Sequence, residues 1–333
     1  MSNQKMKILS LDGGGVRGYL TAMILENVEK QLNLRDGTNK PLGEYFGLIA
    51  GTSTGAIIAG LLAIGKSASE VRKIYEDDIK EIFSNEMKRN KFDFFPINKI
   101  PIIRNRPYFK TKYSDRKLVE RAEHHFKNLT FEFGKDIKTH LLITSVDITT
   151  MTPRFHKSAY NHKNKPREDE LLSNAIIASA SAPSYFPVKE KLKYSSNLID
   201  GGVVANNPAL VALIDSFSFS NHENKDDVVL LSVGTGKACE IPYDIEQLKD
   251  TTIKWLRQNG SIPLIEILMN SQSTLAEFQT DFLMEKLGCK NQYKRINPNL
   301  GIKIQLDDAS KIDMLKNLAD LDQENTTWVL NNL

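Results

Sequence analysis

Gly51-Thr52-Ser53-Thr54-Gly55 separates an apolar run, Tyr45 to Ala50, from a helix-like run, Ala56 to Ile64. This is G-x-S-x-G at a strand-to-helix turn, the setting in which the pattern reads as a nucleophile elbow. A sharp turn lifts Ser53 out of the strand. Gly51 and Gly55 let the backbone pass on either side and tolerate strained dihedrals. The helix that follows points its N-terminus at the serine, where developing negative charge is favoured. The competing reading is an ordinary βα turn that uses Gly and Ser because turns do.

Upstream, Lys7-Ile8-Leu9-Ser10-Leu11 reads as a short buried strand. It runs into Asp12-Gly13-Gly14-Gly15-Val16-Arg17-Gly18 and then an amphipathic helix, Tyr19 to Leu32. A glycine run at the C-terminal edge of a parallel sheet offers backbone N–H groups in a tight nest. Such donors suit the oxyanion of a tetrahedral intermediate. Gly13-x-Gly15-x-x-Gly18 also fits a dinucleotide fingerprint. That fingerprint wants an acidic residue at the end of the second strand. Here Asp36 falls in the polar stretch Asn33 to Lys40, and the dinucleotide reading leaves Ser53 unexplained.

A serine nucleophile needs a proton acceptor. Of the six histidines, His124 and His125 sit in a charged helical stretch and His140 begins an apolar strand. His156 ends a segment rich in Thr and Arg, and His162 and His222 lie in polar loops. None has a strand-end or Gly-rich setting, so each reads as a surface or edge histidine; His156 is the nearest to an exception. Asp200 is the better base. Ser196 to Ile199 runs into Asp200-Gly201-Gly202, and the two glycines hold the carboxylate on a tight, open turn. Alone, D-G-G is a common turn.

D-G-G-G-x-R-G, G-T-S-T-G and D-G-G, in that order, resemble the patatin-like phospholipase family. Ala178-Ser179-Ala180-Ser181-Ala182-Pro183-Ser184-Tyr185-Phe186-Pro187 is similar to the family's A-x-S-A-A-P-x-Y-F-x-P segment, one residue shorter at its end. Asn206-Asn207-Pro208 and Leu231-Ser232-Val233-Gly234-Thr235-Gly236 resemble family landmarks downstream. The likeness is strong from Lys7 to Lys237 and weaker beyond. It implies a Ser–Asp dyad without histidine, with Ser53 as nucleophile and Asp200 as general base. Gly13, Gly14 and Gly15 would form the oxyanion hole. Arg17 would lie near the substrate head group or brace the glycine loop. No cofactor or metal is implied. An ordinary aspartate, pKa about 3.9, is a poor base towards a hydroxyl. Burial beside an apolar acyl channel would raise it.

The chain has 333 residues, with no linker, repeat or low-complexity tract dividing it. Strands are expected at Lys7–Leu11, Gly47–Ala50, His140–Asp147, Asn197–Asp200 and Val228–Val233, with helices between them. The expected fold class is therefore α/β, a mostly parallel central sheet covered by helices; the resemblance implies that it is a three-layer patatin-like fold. Residues 1–240 are expected to form the catalytic core. Residues 241–333 would be a helical C-terminal extension packed on the same domain, clearest at Ile262–Leu287 and Ala309–Leu321.

The N-terminus lacks an apolar signal core, and no run approaches a membrane span. Cys239 and Cys289 read as free thiols. No metal-ligand spacing is visible. Net charge of +3 argues against nucleic acid as a partner. From Lys88 to Lys112, basic residues and aromatics are interleaved with prolines. Such a cap-like segment at 88–112 suits an anionic membrane surface; the other reading is a solvated loop. Together these observations point to a cytoplasmic serine acyl hydrolase, of phospholipase A or lysophospholipase type, acting peripherally on membrane phospholipid or lysophospholipid. The alternative is a non-catalytic lipid-binding or regulatory protein on the same fold. A regulated effector role, with a small-molecule activator or delivery by a specialised secretion system, is compatible with the sequence but not specified by it.

Overall fold

The computed structural model describes residues 5–83, 111–159, 170–192, 195–219, 228–237, 244–250, 252–256, 258 and 262–333. Residues 88–110 of the expected cap-like segment at 88–112, together with His162, His222 and Cys239, lie outside the described residues. One sheet holds β1 Met6–Leu11, β2 Leu48–Gly51, β3 His140–Asp147, β4 Thr152–Lys157, β5 Lys189–Leu192, β6 Ser195–Asp200, β7 Val228–Val233 and β8 Tyr293–Ile296. The order is β5-β6-β3-β2-β1-β7-β8, with β4 also on β3. Strands β3, β2, β1, β7 and β8 pair in parallel; β3–β4, β3–β6 and β5–β6 are antiparallel.

The helices in chain order are α1 Gly18–Asp36, α2 Thr54–Ala63, α3 Ala68–Ile82, α4 Arg116–Phe126, α5 Leu172–Ala180 and α6 Gly202–Ala205. They continue with α7 Ala209–Ser216, α8 Ile245–Asp250, α9 Thr252–Leu256, α10 Pro263–Lys286, α11 Ile312–Leu315 and α12 Gln323–Asn332. Helix layers cover both faces of the sheet. Leu9, Leu11, Ile49, Leu141 and Ile143 pack under α1, α2, α3 and α5. Ile8, Leu48, Leu142 and Leu230 face α7 and the end of α10 at Met284. Alternate residues of one strand serve opposite cores, which is why the strands read as continuous apolar runs. α3 starts at a capping box: Ser67 Oγ accepts from Glu70 N–H while Glu70 reaches back to Ser67 N–H.

Strand β3 positions the site. β4 pairs with β3 from Leu142 to Asp147, so β2 and β6 must share the opposite edge. β2 runs up that edge until Gly51 lies opposite Ile143. β6 runs down it until Asp200 lies opposite Ser145. Two strands thus converge tip to tip, about 6–7 Å apart along β3. The residues that follow, Ser53 and Gly201, turn out of the sheet together.

Three expectations are corrected. Ala309–Leu321 is not one helix but short turns around α11, Ile312–Leu315. The C-terminal region is not purely helical, because β8 joins the sheet beside β7. Asp36 is not in a loop: it ends α1, before Gly37 in the left-handed region, and pairs with neighbouring Arg35. It lies on a helix and not at a strand end, so the dinucleotide fingerprint lacks its acidic residue. Cys289 is buried and forms no disulfide among the described residues.

Candidate active site

Ser53 sits between β2 and α2 with φ 54° and ψ −120°. A serine in that region carries backbone strain, about 1–3 kcal/mol, that surrounding structure must hold. The flanking glycines are steric necessities. A Cβ at Gly51 would stand 2.3 Å from Gly55 O, and one at Gly55 would stand 2.3 Å from Leu11 O. The side chain of Ser53 is nearly buried. Its Oγ donates to Asp200 Oδ2 at 2.6 Å, and its N–H donates to Ser179 Oγ at 2.8 Å.

Asp200 is 1% exposed. Its Oδ1 accepts from Gly202 N–H at 2.6 Å, and its own N–H donates to Ser181 O at 3.0 Å. Burial pushes its carboxyl up to about 7, against the opposing pull of the Ser53 and Gly202 hydrogen bonds. That value lies near the pH at which a general base works best. Thr144 Oγ1 and Thr144 O fill the space a Cβ at Gly201 would need. Ser179 and Ser181, at the end of α5, therefore position Ser53 and Asp200 from one short segment.

The glycine loop is held from all sides. Asp12, immediately before it, makes a bidentate pair with Arg295 at 2.5 and 2.8 Å, and Arg295 also donates to Ser232 Oγ. Gly13 N–H donates to Asn206 O at 3.0 Å, and Thr235 Oγ1 donates to Gly13 O. Val16 N–H donates to Leu306 O at 2.8 Å. Gly15 has φ +57°, and a Cβ there would collide with Leu306 O at 1.9 Å. Its carbonyl accepts from Thr54 Oγ1 at 2.9 Å and from the Tyr75 hydroxyl.

This corrects one expectation. Gly13 N–H is committed to Asn206, so it is not an available oxyanion donor. The N–H groups of Gly14 and Gly15 have no partner among the described residues. Arg17 donates from Nε to Gly14 O at 3.4 Å, which gives it a bracing contact on the loop.

A small compartment of about 40 Å³ opens beside Ser53 and Asp200. Its walls are mostly apolar, including Ile57, Ile79, Ile82, Phe83, Leu118 and Phe186.

No histidine hydrogen-bonds Ser53 or Asp200 among the described residues. His156 is not a surface or edge residue, however. It is buried, with Nε2 on Ser145 Oγ and Nδ1 on Glu170 Oε1, both at 2.8 Å. His140 is pushed down to about 4 by burial and stacks on Phe133. His125 pairs with Asp78 at 2.7 Å. Among the described residues no three His, Cys, Asp or Glu side chains are grouped to hold a metal.

Sequence reasoning gave no role to Arg295, Asn206, Thr235, Ser179 and Ser181. All but Arg295 lay in segments recognised as family landmarks. Arg295 carries no local signal.

With this geometry in place, comparison with known proteins is decisive at the family level. The patatin-like phospholipase model matches residues 9–213. The chain belongs to that family, whose members are lipid acyl hydrolases. Patatin-like protein 1 of Oryza sativa subsp. indica is 29% identical over 325 residues, covering 89% of this chain and 75% of that protein. The cGAMP-activated phospholipase of Vibrio cholerae is 33% identical over 244 residues, covering 71% of this chain and 65% of that one. Among solved structures, VipD from Legionella pneumophila aligns with 98% of this chain and 67% of its own, at a TM-score of 0.41 and 9% identity.

Proposed function

We propose that the chain hydrolyses fatty-acyl esters of membrane lipids through a Ser53–Asp200 dyad. The observation that carries this reading is the 2.6 Å hydrogen bond from Ser53 Oγ to a buried Asp200, at a serine held in a strained elbow. Ser53 Oγ attacks the ester carbonyl, and its proton passes to Asp200 Oδ2. The carbonyl oxygen, now negative, accepts from the N–H groups of Gly14 and Gly15. The C–O bond to the alcohol breaks as Asp200 returns the proton to the leaving oxygen. Water, deprotonated by Asp200, then attacks the acyl–Ser53 ester, and the Ser53 Oγ–acyl bond breaks as Asp200 returns the proton to Ser53 Oγ, releasing the fatty acid. The apolar walls beside Ser53 suit an acyl chain.

We infer further that the protein works peripherally at a cytoplasmic membrane surface. No helix among the described residues is long and apolar enough to cross a membrane. The outward side of α10 carries exposed Leu264, Leu268, Leu275, Phe278 and Phe282, while Met269 on the same helix lines the acyl compartment. A lipid surface against that side would lie next to the catalytic entrance. Control by a small-molecule activator is part of the proposal; the likeness to a cGAMP-activated phospholipase supports it.

A fluorophosphonate probe tests the core of this reading. The wild-type chain should be labelled at Ser53, and Ser53→Ala should be neither labelled nor active on a soluble ester. Labelling at another serine, or turnover by the variant, would overturn it.

A further inference from the structure

A second, larger cavity of about 640 Å³ lies beside the catalytic compartment. Its volume falls in the range of small-molecule sites, roughly 300–1,000 Å³. It sits where the C-terminal ends of β1, β7 and β8 meet, between the glycine loop, the chain after β7 and α10. Crevices outside the carboxyl ends of parallel strands are where open α/β sheets take ligands. Of the residues around it, Arg17 and Asn206 fall within the 9–213 match of the family; the rest lie beyond it. The cavity is thus chiefly a product of the C-terminal third.

Its charge is uneven. Arg17, Lys237, Arg295 and Lys303 line it, against Glu266 and Glu277. Arg295 is spent on Asp12. Lys303 stands 3.6 Å from Glu266, and Lys237 stands 3.4 Å from Glu277. Burial lowers the Lys303 ammonium; Glu266 offsets this, while Arg17 and Lys311 lower it further. Arg17 and Lys303 therefore act on each other as like charges at the cavity wall. An anion between them would relieve that repulsion and accept charge-assisted hydrogen bonds. Ile267, Met269, Ile304 and Leu306 supply an aliphatic wall, and no aromatic ring stands among the described lining residues.

The two compartments meet. Met269 and Leu306 line both, and the Leu306 carbonyl holds Val16 of the glycine loop. A ligand in the larger space would touch the residues that set the oxyanion donors.

We propose that this cavity binds the phosphate of a phosphate ester, with Lys303 and Lys237 as its recognising cations beside Arg17. The phosphate has two sources: the head group of the lipid whose acyl carbonyl lies at Ser53, or a free phosphate ester acting as effector. The inference rests on the hydrolase reading only for what such binding does to rate.

The test compares wild type, Lys237→Glu/Lys303→Glu and the conservative Lys237→Arg/Lys303→Arg, each checked for folding by circular dichroism. Calorimetry measures binding of glycerophosphocholine and of cGAMP. At least one should bind wild type and the Arg pair, with affinity at least about tenfold weaker in the Glu pair. Rates then identify the source. If the phosphate is the lipid's, the Glu pair should lose at least about tenfold on phosphatidylcholine in neutral detergent micelles. Diacylglycerol of the same chains, which lacks phosphate, should then be cleaved as by wild type. If the phosphate is an effector's, cGAMP should accelerate wild type on both lipids and not the Glu pair. Failure of both probes to bind wild type, or equal binding by wild type and the Glu pair, would overturn the site. Failure of the hydrolase reading is separate: wild type would cleave neither lipid, and the binding arm would still report on the cavity.

Discussion

The elbow and the C-terminal third serve the same site by opposite means. At the elbow, the turn that presents Ser53 is built largely by its immediate neighbours. Gly55 N–H donates to Thr52 O, Ala56 N–H donates to Ser53 O, and two glycines remove the clashes. The C-terminal third contributes from far along the chain. Arg295 reaches Asp12, Leu306 O holds Val16 N–H, and β8 seals the sheet beside β7. The strained turn is encoded locally, and the brace on the glycine loop is supplied from a distance. Changes at the elbow should therefore destroy rate with the fold intact, whereas changes in the C-terminal third should act first on stability or affinity.

The sharpest expected loss is at the dyad. Ser53→Ala should remove at least about 10⁴-fold of the activity, since a covalent nucleophile has no substitute. Asp200→Asn should cost about 10³–10⁴-fold, because it removes the base and keeps the shape. Turnover of a soluble ester, with thermal unfolding measured alongside, checks both. A variant that lost activity only by unfolding would break the contrast between the two regions.

Next in size is Arg295→Met. It leaves Asp12 buried without its counter-charge, and breaking such a pair costs about 3–5 kcal/mol. Denaturant midpoints should fall accordingly. Asp12→Asn/Arg295→Met should recover part of the loss, because no uncompensated charge remains. If Arg295→Met unfolds no more easily than wild type, the distal brace is not what holds the glycine loop.

These two cases also explain what was legible in the sequence. The β1, β3 and β7 strands were plain because buried parallel strands have no polar face to interrupt them. The Ser53 and Asp200 turns were plain because strained or crowded backbone demands glycine at fixed offsets. β8 was missed because Tyr293-Lys-Arg-Ile carries charges along a short edge strand, as edges do. Arg295 looked like one more surface cation, and only tertiary structure brings it to Asp12. The Gly13 N–H could not be counted out from sequence, since its acceptor is a backbone carbonyl at Asn206. The turns at 309–318 read as helix because their apolar residues recur at helical spacing, although the chain winds in short pieces.

A smaller and signed effect follows from the Asp200 carboxyl, raised from 3.8 to about 7. The base must be deprotonated, so kcat/KM should climb about tenfold per pH unit below that value and level off above it. Stability should run the other way. Between 3.8 and about 7 the folded chain holds a proton that the unfolded chain releases, so this group costs stability as pH rises through the window. Asp200→Asn abolishes that term. It should be inactive, yet unfold at a higher temperature than wild type at pH 8, with the gap closing towards pH 4. Parallel pH dependence of both proteins would remove Asp200 as the titrating base.

The smallest expected effect belongs to His156, and it is the most discriminating. Glu170, His156 and Ser145 form a chain of 2.8 Å hydrogen bonds in the order of a hydrolase triad. Ser145 is fully buried and lies opposite Asp200 across β3 and β6, so the resemblance is one of connectivity only. A substrate cannot reach that hydroxyl. The chain ties β3 and β4 to Glu170, two residues before α5, and α5 carries the Ser179 that receives Ser53 N–H. His156→Gln keeps one polar contact and loses another. It should cost about 1–3 kcal/mol of stability, the penalty for an orphaned buried polar group. Turnover should fall by less than about tenfold at a temperature where the variant is folded, and the pH profile should keep its midpoint near 7. A loss as deep as that of Asp200→Asn, with the midpoint moved, would mean that the histidine takes part in proton transfer and that the dyad is incomplete. Loss of stability alone would set His156 with Arg295, among the residues that hold the site without touching the reaction.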